Sequence, residues 1–238
     1  MNKGFYKDLD TNFELACKMS EQDFSHDELL KLLQNGNIPE KQIAALKLKT
    51  INNIEEANIL MKNLTGCDGK IREAVALKIN QILNQNNQSF YLFTRQESTP
   101  FADATIDING NICRLVIDSV AILKQDKTFA KKYLEQILSF INETFNELDK
   151  FIFRDKKYVI NKQLFKLYWC LEALKLFISD IPEEKLFTIM NKASEVSEYT
   201  IREKVAQILI FVDSKKFLPI ASKLQTDENY YVRVALKK

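Results

Sequence analysis

Apolar positions along the chain recur at three- and four-residue intervals, and helical periodicity dominates from end to end. After an N-terminal helix near 10–20, Ser25-His26-Asp27-Glu28 reads as a capping box. Its serine hydroxyl meets an early backbone N–H, and its glutamate reaches back to the cap. It opens the run Glu28-Leu29-Leu30-Lys31-Leu32-Leu33, which Gly36 stops. Pro39 sits where a first-turn proline belongs, and Ile43, Leu46 and Ile51 supply the stripe of a second helix. Residues 55–65 predict a third helix ended by Gly66. Residues 69–84 predict a fourth, with Ile71, Val75, Ile79 and Ile82 on one face. Short helix, tight polar turn, longer helix: the pattern predicts an array of αα-hairpins.

The pattern also repeats. Ala45-Leu46-Lys47-Leu48-Lys49-Thr50-Ile51 returns as Ala76-Leu77-Lys78-Ile79-Asn80-Gln81-Ile82, a shift of 31. Ile71-Arg72-Glu73-Ala74-Val75-Ala76 returns as Ile201-Arg202-Glu203-Lys204-Val205-Ala206, and a further shift of 31 lands on Val232-Arg233. A fixed period with two helices per unit predicts a helical solenoid, because one pair alone cannot bury both its apolar faces. Six pairs are expected in a single domain, 1–238, at 26–52, 55–84, 88–124, 127–179, 182–211 and 214–238. The expected core includes Ile71, Val75, Leu77, Leu171, Leu174, Ile201, Val205 and Leu209. Three places depart from the repeat. Residues 86–110 are a long polar segment with interleaved aromatics. The fourth pair is long, with Arg154-Asp155-Lys156-Lys157 at its turn. Pro219 should kink or shorten the last first-helix.

At these residues the chain resembles HEAT repeats. The resemblance rests on an acidic or Asn turn, then Ile/Val-Arg early in a second helix, then Ala and Leu at helical spacing. It is carried by Asp68 with Ile71-Arg72, Glu198 with Ile201-Arg202, and Asp227/Asn229 with Val232-Arg233. A weaker echo is Asp107 and Asn111 with Ile112 and Arg114. The resemblance implies an all-α, right-handed α-α superhelix whose turn acids and helix arginines bond between neighbouring repeats. It thus assigns Asp68, Arg72, Glu198, Arg202, Asp227 and Arg233 an inter-repeat structural role.

Composition narrows the chemistry. Five glycines and four prolines in 238 residues are too few for a turn-rich sandwich or barrel. The glycines never form GxGxxG or GxxxxGK, so no Gly-rich phosphate loop is present. Net charge is +2; residues 1–119 carry 13 Lys/Arg against 16 Asp/Glu and residues 120–238 carry 21 against 16, a mild asymmetry typical of solvated helical faces. Cys17, Cys67, Cys113 and Cys170 lie far apart, and His26 is the lone histidine, so neither a tetrahedral metal site nor a disulfide framework is indicated. The first residues lack an apolar signal segment. The most apolar run, 164–178, is broken by Lys166, Glu172 and Lys175, so no membrane span is expected and the protein reads as cytoplasmic.

Candidate residues follow. His26, in the first turn of a short hairpin with no evident nucleophile beside it, reads as a solvent-facing helix residue rather than a general base. Trp169, in the aromatic-rich centre of a helix with Phe165 on the same face, reads as core packing. Tyr91, Phe93, Arg95 and Phe101 either anchor a partner or plug the gap between the second and third pairs. Lys47 and Lys78 hold matching positions on second helices. With Arg114 and the other helix arginines they are candidates for a basic inner ridge. The partner-binding set is therefore Lys47, Lys78, Tyr91, Phe93, Arg95 and Arg114, with no catalytic residue, metal or cofactor expected.

The reading is a non-catalytic protein-binding scaffold or adaptor that uses the concave face, with nucleic acid an unlikely partner. A DNA-binding, HEAT-like alkylation-repair glycosylase is the alternative. The stripe through Val234 and Leu236 still expects a neighbour, which makes the C-terminal edge, with Tyr230, a candidate contact site for a second copy of the chain or for a partner.

Overall fold

The computed structural model describes residues 3–85, 87–150 and 157–237, and among them every regular element is a helix. Helix α1 (Lys3–Glu21) precedes the pairs α2 (His26–Asn35) with α3 (Ile38–Lys47) and α4 (Ile54–Leu64) with α5 (Gly69–Gln85). Two short helices, α6 (Asn87–Thr94) and α7 (Thr99–Thr105), lead into α8 (Gly110–Leu123). The long α9 (Lys127–Lys150) is followed by α10 (Lys157–Leu174), which tightens into a 3-10 turn over Lys175–Asp180. The last pairs are α11 (Glu183–Ser194) with α12 (Tyr199–Leu209), and α13 (Leu218–Gln225) with α14 (Tyr230–Ala235). The chain is an all-α solenoid. The Arg154–Lys156 part of the expected turn lies outside the described residues.

Two compact units are formed, Met1–Tyr133 and Leu134–Lys238. In the first, second helices pack in succession, α3 on α5 and α5 on α8, while α2, α4 and α7 form the outer row and α1 covers α3. In the second, α10 packs on α12 and α12 on α14, with α11 against α13. Stacking of like on like is what the 31-residue shift requires: equivalent apolar stripes face equivalent stripes.

Local signals explain the boundaries. The Ser25 box is closed, with the Ser25 N–H donating to Glu28 at 2.8 Å and the Glu28 N–H to the Ser25 hydroxyl at 3.3 Å. A second box, Asn37 with Glu40, starts α3 and has Pro39 in its first turn. Between them Gly36 leaves no room for a side chain: a Cβ there would lie 2.5 Å from the Leu32 carbonyl oxygen. Pro219 opens α13 rather than interrupting it, behind a 3-10 turn at Lys215–Phe217, so that helix is shortened.

The expected core is found, Leu77 alone of that set being half-buried. Helix α3 ends sooner than the stripe predicted. Leu46 is exposed, while Leu48 and Ile51 are buried from the non-helical segment beyond Lys47. Residues 87–110 are neither long loop nor surface tether. Phe93 and Phe101 are fully buried, and their rings lead edge-to-face to Phe129, which stacks on Tyr133. The Tyr133 and Thr105 hydroxyls meet at 2.7 Å inside this cluster. Among the described residues, no helix is long and apolar enough to cross a membrane.

Candidate functional site

The arginines of the repeat share one posture. Arg72, early in α5, bends back so that Nη1 donates to the carbonyls of Gly66 and Cys67, six and five residues earlier, at 2.9 and 3.0 Å. That leaves its Nε–Nη2 edge for the Asp107 carboxylate, held at 2.6 and 3.2 Å in a two-point contact. Arg202 repeats this in the second unit. Its Nη1 donates to Val196 and Ser197, and its Nε and Nη2 grip Asp227 at 2.7 and 3.1 Å. Each aspartate also accepts the N–H two residues on, Asn109 or Asn229, at 2.8 Å, so one carboxylate orders its own turn and ties it to the preceding repeat. The Arg202 bond holds the Asp227 carboxyl below its ordinary range. Both pairs are largely buried.

The acid–arginine set expected to bond between repeats divides in two. Arg72, Arg202 and Asp227 bond across repeats. Asp68 caps α5 by accepting from Lys70 and Ile71 N–H, and Glu198 caps α12. Arg233, early in α14, makes the same backward reach to the carbonyls of Asp227 and Glu228, at 2.5 and 2.9 Å. Asp107 is the ladder partner that the weaker echo understated. Position 113, six residues after Asp107 as 233 is after 227, carries Cys113, whose thiol donates to the Asp107 carbonyl at 3.1 Å. Arg114 is one residue out of register and exposed.

The other predicted residues scatter. Lys47 donates to the Gln22 carbonyl at 2.7 Å and lies over the Phe24 ring, so it fastens the chain ahead of α2. Lys78 is buried, and burial lowers its pKa. Phe93 belongs to the core rather than to a surface, because it fills the gap in front of α8. Tyr91 is 62% exposed and Arg95 is exposed, so these two alone of the insertion's partner candidates face out. His26 is not simply solvated: its Nε2 lies 2.9 Å from the Glu56 carboxylate and 3.1 Å from the Asn52 amide, joining the first hairpin to the second. Among the described residues no three of His, Cys, Asp and Glu are grouped as metal ligands would be.

A concave feature with an aromatic wall lies in the second unit, on the second-helix row. Asn161, Leu164, Phe165, Tyr168 and Trp169 of α10 and Glu198 and Thr200 at the head of α12 line a cleft of about 510 Å³. Helical spacing puts Phe165 and Trp169 one turn apart, edge-to-face at 6.2 Å, and Tyr168 meets Trp169 edge-to-face at 5.2 Å. Phe165 remains 37% exposed, whereas Trp169 is 8% exposed. The indole Nε1–H of Trp169 is buried and finds no acceptor among the described residues, an arrangement that costs about 1–3 kcal/mol for a polar group. The cleft floor is pinned by Lys204, whose ammonium sits 4.6 Å above the Tyr168 ring and donates to Glu172 at 2.5 Å. Burial opposes both charges, but the bond outweighs it, so Glu172 lies below its ordinary range and Lys204 above.

Beside the cleft the aromatic surface continues. Tyr199, between Glu198 and Thr200, stacks on Tyr231 at 6.3 Å, and Tyr231 meets Tyr230 edge-on at 5.7 Å. Tyr230 and Tyr231 are 63% and 60% exposed. The sequence marked Trp169 as core. What it hid was the exposed rim, because Phe165 and Tyr199 obey the same helical spacing as buried positions.

No family model matches the chain, and no curated protein matches it. Solved structures similar to it include a repeat design and two engineered proteins. One is an engineered protein of the Northeast Structural Genomics Consortium, 13% identical, with a TM-score of 0.48, covering 90% of this chain and 94% of its own. A second engineered protein of that consortium is 14% identical, with a TM-score of 0.46 and coverages of 90% and 96%. A designed armadillo repeat protein is 13% identical, with a TM-score of 0.45 and coverages of 90% and 97%.

Proposed function

We propose that this chain is a non-catalytic, HEAT-like protein-binding scaffold that takes a partner segment on the second-helix row of its Leu134–Lys238 unit. The observation that carries the reading is the aromatic cleft, with a half-open Phe165 wall and a buried indole N–H that has no acceptor among the described residues. An apolar or aromatic side chain of the partner fills the space between Leu164, Phe165 and Tyr168, and a partner carbonyl satisfies Trp169. The exposed tyrosines alongside supply rigid contact area at low entropic cost. In this reading the protein works in the cytoplasm, where reducing conditions keep the exposed Cys17 and Cys67 as thiols.

Trp169 is the sole tryptophan, so the cleft carries its own fluorophore. Peptides selected by display on the full chain should change Trp169 emission saturably. They should bind at least tenfold more weakly to Phe165→Ala, a loss of about 1.4 kcal/mol. Selected peptides that leave the emission unchanged and bind Phe165→Ala equally well would defeat the proposal.

A further inference from the structure

Three cationic side chains are buried among the described residues, and two of them have carboxylate partners. Arg202 holds Asp227, and Lys204 holds Glu172. Lys78, 8% exposed on α5, meets no hydrogen-bond or ion-pair partner among the described residues. Lys47, its counterpart one repeat earlier, is fastened to the Gln22 carbonyl and the Phe24 ring, and Lys78 has no such anchor. Its stem is packed away while the ammonium keeps a path to water. Burying a charge without a counter-charge costs stability, so nothing inside the fold accounts for a lysine where methionine would pack as well.

The surface beside Lys78 is apolar. Glu73 and Asn80 of α5 bond to the head and body of α8, and Lys78 lies on the far side of the helix from both, toward α3. Along this α3–α5 seam Leu46 is 41% exposed and Leu77 is half-buried, the matched leucines of the repeated Ala-Leu-Lys. Nearer the helix starts the seam opens into a groove of about 600 Å³. Phe13, Ile38, Pro39 and Ile43 line it, and Lys70 is its one charged group among the described residues. Lys70 has no carboxylate partner there either. Helix α1 packs on α3 and α8 packs on α5, so the seam lies inside the row of helices. Two unpaired ammonium groups on apolar ground, with no acid lining the groove, are complementary to a negatively charged, apolar ligand. We infer that the α3–α5 seam binds an acidic, apolar segment of a partner protein. A carboxylate of that segment pairs with Lys78, and its aliphatic side chains cover Leu46 and Leu77 and enter the groove toward Lys70. The site belongs to the Met1–Tyr133 unit and does not depend on the aromatic cleft.

The test uses the full chain carrying Phe165→Ala, which weakens the cleft and so isolates the seam. Random peptides displayed on phage and selected on this chain should be enriched in Asp or Glu next to Leu, Ile, Val or Phe. A synthetic copy of the most enriched peptide should bind at least tenfold more weakly when Lys78→Met is added, and so should its amide version, with Asn or Gln for each acid, on the unaltered seam. Lys78→Met keeps the buried stem and loses only the charge. It should therefore raise the thermal unfolding midpoint while binding is lost, a combination that a structural lysine would not give. Lys78→Arg should retain most of the binding. The inference is overturned if no peptide is enriched, if the enriched peptides show no excess of acids, or if Lys78→Met binds them equally well. A lower midpoint for Lys78→Met would overturn it too, as would displacement of the peptide by a single-stranded oligonucleotide at equal charge concentration, which would assign the seam to phosphates.

Discussion

Arg202 makes five hydrogen bonds from one side chain that is almost wholly buried: two to carbonyls of its own turn, two to Asp227 and a longer one to Glu228. Removing one partner of a buried pair strands the other without water, so Arg202→Ala should lower stability by about 3–5 kcal/mol in reversible denaturation. Arg202→Lys should recover little, because a single ammonium cannot hold both carbonyls and both oxygens. The pH dependence has a definite sign. The folded Asp227 carboxyl titrates below its unfolded value, so its contribution is complete above about pH 4 and is lost as pH falls through the folded value. Asp227→Asn should therefore be less stable at neutral pH and show a flatter acid limb. Cysteines provide a second check at this scale. Cys17 and Cys67 are exposed while Cys113 and Cys170 are buried, so iodoacetamide should label two thiols of the native protein and four of the denatured one. Burial pushes the Cys113 thiol up to about 12. The unfolded chain then ionises first, and stability should fall at about 1.4 kcal/mol per pH unit between the two values.

Among the elements, helix caps and the fold-back of the arginines were legible because each depends on residues no more than six positions away. Ser25 with Glu28 and Arg202 behind Glu198 carry their geometry in their spacing. Asp107 was harder to see. Its partner is 35 residues away, and the register position in α8 holds Cys113 while Arg114 sits one step off. The insertion was illegible for another reason. Polar neighbours masked Phe93 and Phe101, whose burial depends on Phe129 and Tyr133 arriving from the next element. The cleft was half legible: periodicity placed Phe165 and Trp169 on one face but could not say that the face stays partly open. Helix α12 is a place where sequence and packing agree, and Ile201 there is fully buried. Ile201→Ala should cost about 2–4 kcal/mol by chemical denaturation, whereas loss below half a kcal/mol would mean that the face is assigned wrongly.

For the whole molecule, net charge is +2, and two of its six arginines are committed to internal carboxylates. Its 34 Lys and Arg are nearly balanced by 32 Asp and Glu, so little net positive field is available to draw a duplex. Binding to double-stranded DNA at physiological salt should be no tighter than micromolar by anisotropy, with a shallow salt slope. Nanomolar binding that falls steeply with salt would favour the glycosylase alternative over a protein-binding scaffold.

The fold-back of each arginine also sets an order of events in time. A loop of six residues closes in roughly tens to hundreds of nanoseconds, so the Nη1 anchors can form with their own helices. The carboxylates arrive from 25 and 35 residues downstream, only after the next pair has docked. An interaction completed that late belongs to the descent after the rate-limiting barrier, not to the climb. In stopped-flow mixing, Asp227→Asn should therefore speed unfolding in proportion to its loss of stability while leaving refolding nearly at the wild-type rate. The ladder would then act chiefly on the lifetime of the native state, delaying separation of repeats that have already found one another.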